Sequence, residues 1–353
     1  MANLLGERLK IARQRAGFNL RDLGTLAGVS AQAISKYERG VNLPGSDILL
    51  RLSKVLGVRV EYFFRTTSIT SIRPMYRKKS PLKLKDERAI IARIRDWLER
   101  YLEIETLYDL DESYQLPHKY PITCDEDLES AARQIRKEWS LGLVPVDNLI
   151  ETLEMKGIKV GRIEGHRDFD SCTFMLDDAR PVIVVKKDVP GDRQRFSLAH
   201  ELGHIVLDIP ASMDCEKAVN RFAGAFLVPS EIVYTELGEV RHSLNPFELH
   251  LLKHKYGLSM LGWVHRAEDS RIITRAAAKR IVGHFRRNGW HLKEPGDQIV
   301  PERPRRMARL IVRALEENAI TASKASELLG KPLDAFYKDE SKQHGNFPLD
   351  IRN

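Results

Sequence analysis

The chain has 353 residues and a formal net charge of +8, with 42% hydrophobic and 30% charged residues. This length predicts two or more domains, and the composition is that of a soluble protein. The absence of any run of about 18 apolar residues excludes a membrane span. The three widely spaced cysteines, Cys124, Cys172 and Cys215, exclude a disulfide framework. Glu7 and Arg8 interrupt the apolar core that a signal peptide needs, so we expect a cytoplasmic protein.

The positive charge lies at the N-terminal end of the chain. Residues 1–95 contain 20 Lys and Arg residues against 7 Asp and Glu residues, whereas residues 96–353 contain 37 against 42. A basic segment joined to an acidic remainder indicates a nucleic-acid-binding domain fused to another domain.

Residues 4–65 contain a series of short helical patterns. Apolar residues recur at helical spacing from residue 4 to 12, and further helices are predicted over 20–27, 31–39 and 48–56, with a short fifth one over 60–64. Asn19 and Ser30 are suitable N-caps, and Ser46 or Asp47 can open the fourth helix.

Residues 20–40, LRDLGTLAGVSAQAISKYERG, have the pattern of two helices joined by a tight turn at Gly28. The second helix presents three polar residues on its outer face, namely Gln32, Ser35 and Lys36. Gln can pair with adenine and Lys can donate to guanine in the major groove. Arg21 and Arg39 are placed to hold phosphates. An ordinary helical subdomain with a polar outer helix is the alternative interpretation.

This segment, followed by Pro44 and LLRLSKVLGV, resembles the five-helix domain of the Xre/Cro family of phage-type repressors. The resemblance covers about residues 4–65. It implies a lambda-repressor-like domain over residues 1–67 that binds double-stranded operator DNA as a homodimer. It also implies that Gln32, Ser35 and Lys36 contact the bases. Ala31 stands at a position where many relatives have a polar residue.

The remainder of the chain alternates helical and strand patterns. Residues 66–85, rich in Ser, Thr, Pro and Lys, predict a linker, and a helical pattern follows it, so residues 68–125 are assigned to a basic linker and connecting helix. Strands are predicted over 159–163, 171–176 and 181–185, and helices over 194–207, 215–227, 246–271 and 304–340. The predicted fold class is therefore mainly α with a small β-sheet (α+β).

Residues 195–207, RFSLAHELGHIVL, have the spacing of a zinc-binding helix. His200 and His204 are four residues apart, so both imidazoles project from one helix face and can bind one Zn²⁺. Glu201 can take a proton from a zinc-activated water and pass it to a leaving amine. The candidates for a third ligand are Asp208, Asp214 and Glu216. We prefer Glu216, because a helical hairpin could fold the start of the next helix onto the histidines. Two histidines without a metal and a purely structural zinc are the alternatives.

Three segments, RQRFSLAHELGHIVL, EKAVNRFAGAFLVPSE and YGLSMLGWVHRAEDSRII, resemble the ImmA/IrrE family of bacterial metallopeptidases. The resemblance implies a zincin-like metallopeptidase domain over residues 126–275. It also implies that His200, His204 and Glu216 hold zinc and that Glu201 is the catalytic glutamate. Residues 276–353 form a predicted helical C-terminal region. Within it, residues 300–340 resemble the tail that is common in proteins fusing these two modules.

The predicted function is that of a DNA-binding transcriptional regulator with a zinc-dependent endopeptidase domain. The expected substrate is a partner repressor or antitoxin from a neighbouring gene, or the chain itself. Two alternatives remain open: a non-enzymic repressor whose peptidase fold senses a ligand or partner, and an antitoxin-like autoregulator that neutralises a neighbouring toxin. His265, Arg266 and Tyr256 are weaker candidates for stabilising an oxyanion.

Overall fold

The structure, a computed structural model, describes residues 2–65, 69, 83–108, 118–166, 168–176 and 180–344. Most of the predicted linker 66–85 lies outside these residues. The described residues are mainly helical with short strands, which confirms the predicted α+β class. None of their helices is long and apolar enough to cross a membrane.

The helices are α1 Ala2–Arg15, α2 Leu20–Ala27, α3 Ala31–Glu38, α4 Ser46–Leu56, a 3₁₀ helix Val60–Phe64, α5 Leu84–Glu105, α6 Asp125–Glu138, α7 Leu149–Met155, α8 Gly191–Val206, α9 Cys215–Leu227, α10 Ser230–Leu237, α11 Pro246–Tyr256, α12 Met260–Asp269, α13 Arg275–Arg287, α14 Arg306–Glu316, α15 Ala322–Leu329 and α16 Leu333–His344. The strands are β1 Tyr120–Pro121, β2 Lys159–Ile163, β3 Ser171–Leu176, β4 Arg180–Lys186 and β5 Leu207–Asp208. The predicted helical stretches 246–271 and 304–340 are therefore each divided, the first of them at Gly257, which has a φ of 72°.

The described residues form two compact units. The first contains those of 1–72, 80–111 and 305–353, and the second contains those of 112–304. The first unit thus includes α5 and α14–α16, which lie in the stretches predicted as a connecting helix and a C-terminal region.

The N-terminal helices of the first unit pack around fully buried Leu9, Leu23, Ile34, Leu52 and Phe63. The side chain of Asn19 caps α2 by accepting from two backbone amides, and Gly28 ends α2 in the left-handed region with a φ of 69°. A side chain is strained at that φ, so glycine suits the tight turn between α2 and α3. The fourth helix differs slightly from the prediction, because Gly45 occupies its cap position without a side-chain hydrogen bond.

A second cluster in the first unit joins α5 to the C-terminal helices. Tyr101 and Ile104 of α5 pack with Ile311, Ala314 and Leu328, and all five are essentially buried. The sequence periodicity predicts the apolar face of α5, but its partners lie more than 200 residues away. These long-range contacts are why the unit's limits differ from the predicted domain limits.

The second unit is built around a three-stranded sheet in the order β2-β4-β3. β4 runs parallel to β2 and antiparallel to β3. Its residues Val182–Val185 are fully buried, as expected for a central strand covered on both faces. The helix α8 packs on β3, β4 and α9. Gly203 allows the close approach of α8 to α9, since a Cβ there would lie 3.0 Å from Phe222.

Hydrogen bonds and an ion pair from the segment that follows α13 hold the first turn of α8 in place. The backbone amide of Gly191 donates to the carbonyl of Ile299 at 2.7 Å. The side-chain amide nitrogen of Gln194 donates to the backbone carbonyl of Glu302 at 3.1 Å, and its amide oxygen accepts from the backbone amide of Glu302 at 2.7 Å. Arg195 forms a buried ion pair with the Glu302 carboxylate. These contacts hold α8, the predicted zinc-binding helix, from a segment about 100 residues further along the chain.

Candidate metal centre and nucleic-acid interface

The outer side of α3 carries the residues predicted to read DNA. Gln32, Lys36 and Arg39 are exposed and Ser35 is half-buried, whereas Ile34 on the opposite side is fully buried. Their spacing along the helix brings these four polar residues to one face. The fifth predicted contact, Arg21, is exposed in the first turn of α2.

Two contacts hold α3 in place: an ion pair with α1 that sequence reasoning missed, and the N-cap that it predicted at Ser30. Arg13 of α1 pairs with both carboxylate oxygens of Glu38, at 2.6 and 3.0 Å, and also donates to the carbonyl of Phe18 at 2.9 Å. The hydroxyl of Ser30 caps α3 by accepting from the amide of Ala33 at 3.1 Å. The bidentate pair fixes the C-terminal end of α3 against α1.

The predicted zinc ligands lie together in the second unit. The Nε2 atoms of His200 and His204 are 3.2 Å apart, and each lies 3.9 Å from a carboxylate oxygen of Glu216. Tetrahedral zinc with bonds of about 2.0–2.1 Å requires ligand atoms about 3.3 Å apart. The two nitrogens already have this separation, and the half-exposed Glu216 needs only a small side-chain shift. The donor set therefore fits a zinc ion.

The imidazole of His200 is oriented by Asn220, one turn beyond Glu216 on α9. The Nδ1 atom of His200 lies 2.9 Å from the amide oxygen of Asn220. An amide oxygen only accepts, so the proton resides on Nδ1 and the Nε2 lone pair is available to a metal. Burial lowers the pKa of His204 to about 4, which keeps this ring neutral as a metal ligand must be.

Glu201 is buried beside the two histidines. Its Oε1 atom accepts a hydrogen bond of 2.7 Å from the hydroxyl of Ser171 on β3. Burial raises the pKa of the Glu201 carboxyl above its ordinary value. This environment strengthens the carboxylate as a base, and Ser171 holds its orientation. Sequence reasoning missed Ser171 and Asn220, because nothing in their local patterns distinguishes them.

The other candidate ligands are directed elsewhere. Asp208 is exposed in β5, where its backbone carbonyl accepts from Ile122 at 3.0 Å. Asp214 caps α9 by accepting from the amide of Lys217 at 3.2 Å. Cys215, the residue before Glu216, has its Sγ atom 3.9 Å from Nδ1 of His204. Across the described residues, the cluster formed by His200, His204 and Glu216 is the one with three potential ligands close together.

Two of the candidates for stabilising an oxyanion have structural contacts instead. Buried Arg266 pairs with Glu129 at 2.5 and 3.0 Å, and the hydroxyl of Tyr256 donates to Glu236 at 2.6 Å. His265 is exposed and lines an open cleft of about 460 Å³ between α8, α9 and α12. Asn220 also lines this cleft, which therefore adjoins the predicted metal ligands.

Comparison with known families identifies both domains. Residues 9–63 match the family described as helix-turn-helix, and residues 156–268 match the peptidase M78 family, described as the IrrE N-terminal-like domain. The chain thus contains an Xre-like helix-turn-helix domain and an IrrE/ImmA-like domain, which confirms both resemblances.

Curated relatives match only a short part of the chain. An uncharacterized HTH-type transcriptional regulator of Sinorhizobium medicae is 37% identical over 60 residues, which are 17% of this chain and 43% of that protein. ImmR, an HTH-type transcriptional regulator of Bacillus subtilis, is 38% identical over 58 residues, which are 16% of this chain and 46% of that protein. Repressor protein C2 of Salmonella phage P22 is 37% identical over 62 residues, which are 18% of this chain and 29% of that protein. The chain therefore spans less than half the length of these relatives.

A solved structure of ComR from Streptococcus suis aligns over 96% of both chains at 10% identity. The TM-score of this alignment is 0.17.

Proposed function

We propose that this chain is an operator-binding transcriptional regulator whose IrrE-like domain is a zinc-dependent endopeptidase. Its substrate would be a partner repressor or antitoxin, or the chain itself. The observation that carries the peptidase proposal is the pair of Nε2 atoms 3.2 Å apart, with the carboxylate of Glu216 3.9 Å from each and buried Glu201 alongside.

In this proposal His200, His204 and Glu216 hold the zinc ion and Glu201 moves the proton. Zinc, when bound, supplies positive charge that polarises a peptide carbonyl and acidifies water. Glu201 takes a proton from the attacking water and returns it to the leaving amine. The hydroxyl of Ser171, 2.7 Å from Oε1 of Glu201, keeps the carboxylate in position in both steps.

The edge of the sheet suggests how a polypeptide would reach this site. Within the described part of the chain β3 pairs with β4 alone, so its other edge has no strand partner there. An extended peptide can add to such an edge through main-chain hydrogen bonds. Because Ser171 begins β3 and contacts Glu201, a peptide on this edge would pass close to the base.

The DNA-binding half of the proposal rests on α3. Gln32 and Lys36 are exposed on its outer side, as base contacts require, and Arg39 and Arg21 are exposed where they can reach phosphates. We propose that the chain binds its operator as a homodimer, because a two-fold protein matches two half-sites one helical turn apart.

The decisive experiment separates proton transfer from metal binding. Zinc-loaded parent, Glu201→Gln and His200→Ala proteins are incubated with the repressor and antitoxin proteins encoded by adjacent genes, and cleavage is followed by mass spectrometry. Glu201→Gln should keep zinc and lose cleavage by several orders of magnitude, because it removes the base and retains all three ligands. His200→Ala should lose most of the zinc.

A second histidine pair provides a matched control. His250 and His254 are also four residues apart on a helix, with ring centroids 4.6 Å apart, but they do not belong to the three-ligand cluster. His254→Ala should therefore keep full zinc content and activity. Equal cleavage by Glu201→Gln and the parent would refute the peptidase proposal and favour a non-enzymic repressor. Zinc loss in Glu201→Gln would show that Glu201 is a ligand.

A further inference from the structure

The first unit contains a pocket of about 340 Å³ that the proposed function does not use. It lies between the N-terminal helices, α5 and the stretch from α15 to α16. All of its lining residues belong to this one compact unit. Its volume is at the lower end of the range of about 300–1,000 Å³ that small-molecule sites occupy.

The pocket is lined by an excess of arginine over carboxylate. Arg15, Arg65 and Arg100 all converge on Asp96, at 3.0, 3.3 and 3.4 Å. Three guanidinium groups thus share one carboxylate, and Arg65 also pairs with Glu327 at 2.5 Å. The contacts leave this cluster short of negative charge.

A fourth arginine adds to the excess. Arg59 lines the pocket and donates to the hydroxyl and carbonyl of Ser323, at 2.6 and 3.0 Å, which are neutral groups. Lys331, also in the lining, is paired with Asp339 at 2.8 Å. Four arginines therefore face two lining carboxylates, an excess of two positive charges. A concave surface with a net excess of one charge sign attracts ligands of the opposite sign.

A buried donor lies in the same wall. Tyr62 lines the pocket and is 2% exposed, and its hydroxyl has no hydrogen-bond partner in the described part of the chain. Burial raises the pKa of this hydroxyl above its ordinary value, so it remains a donor. Buried hydroxyls usually have a partner, and one without it at a pocket wall indicates an acceptor that binds there.

We propose that this pocket binds a small phosphorylated metabolite. A phosphate monoester carries a charge of about −1.5 to −2 at pH 7, which matches the excess of two positive charges. Guanidinium groups donate to phosphate oxygens in a bidentate manner, and the hydroxyl of Tyr62 supplies a further donor after a small shift. The bound anion would relieve the repulsion among the arginines that now share Asp96.

The test uses the full chain and calorimetric titration at constant ionic strength. The probes are 3-phosphoglycerate, glucose 6-phosphate and adenosine monophosphate, each with its unphosphorylated counterpart, together with inorganic phosphate and succinate. We expect at least one phosphorylated probe to bind with a stoichiometry of one per chain, its counterpart not to bind, and inorganic phosphate to compete. Absence of binding by all three probes, or tighter binding of succinate, would overturn the proposal.

Three variants locate the binding site. Arg59→Gln should raise the Kd of the bound probe about tenfold, since it removes a charged donor. Tyr62→Phe should raise the Kd severalfold. This substitution keeps the ring in the core and removes only a hydroxyl that has no hydrogen-bond partner among the described residues. Arg313→Gln is the control, because this arginine lies in the same unit outside the pocket and pairs with Glu317 at 2.7 Å. An equal loss of affinity in Arg313→Gln would indicate general attraction of anions and refute the site.

Discussion

The contact between Asn220 and His200 predicts how strongly a neighbour of the metal ligands controls zinc affinity. Replacing Asn220 with Ala removes the acceptor that lies 2.9 Å from Nδ1 of His200. The ring then loses the bond that fixes its rotation and its proton position. Losing such a partner typically lowers metal affinity 10–100-fold. Asn220 is exposed, so water can replace part of the lost bond, and we expect about tenfold weaker binding, or about 1.4 kcal/mol.

The assay is a competition for zinc between the metal-free protein and a chromophoric chelator. Asn220→Asp retains an acceptor at the same position and adds negative charge, so it should bind zinc at least as tightly as the parent. Asn288→Ala is the matched control, since Asn288 contacts the ring of His284, at 3.3 Å, away from the three-ligand cluster. Equal zinc affinity in the parent, Asn220→Ala and Asn220→Asp proteins would refute the argument that this bond orients the ligand.

Three other expectations concern DNA binding and stability. Gln32→Ala should weaken binding to the operator by about 1–3 kcal/mol and relax specificity at one base pair, whereas Arg39→Ala should weaken binding to all duplexes alike; gel-shift titrations over a range of salt concentrations distinguish them. Glu302→Ala removes the carboxylate partner of buried Arg195 and should lower the free energy of unfolding by about 3–5 kcal/mol, measured by denaturant unfolding. Glu164→Ala is the control, because it breaks an exposed ion pair with Lys187 and should lower the free energy of unfolding by less than about 1 kcal/mol. Hydrogen bonds from Thr123 lower the pKa of Asp127 to about 2. This carboxylate therefore stabilises the folded state above about pH 4, and its contribution decreases below pH 4 and is lost as the pH falls through about 2. Asp127→Asn should therefore lower the melting temperature at pH 7 and have a much smaller effect at pH 2.

The sequence alone determined those features that depend on local spacing. A helix places residues four apart on one face whatever surrounds it, so the pairing of His200 with His204 and the outward set on α3 follow from the residue order. The α+β class and both family resemblances were likewise predicted correctly, because capping residues, glycine turns and apolar periodicity act over a few residues.

The tertiary structure decided which distant groups meet. Asp208, Asp214 and Glu216 were all open as third ligands by sequence, and the packing of α9 on α8 brings Glu216 beside the histidines while Asp214 caps a helix. Ser171 reaches Glu201 from a strand 30 residues away in sequence. The arginines around Asp96 come together from α1, from residues 57–65 and from α5. Such contacts depend on how whole elements pack, and the pattern of a single segment contains no information about its partner.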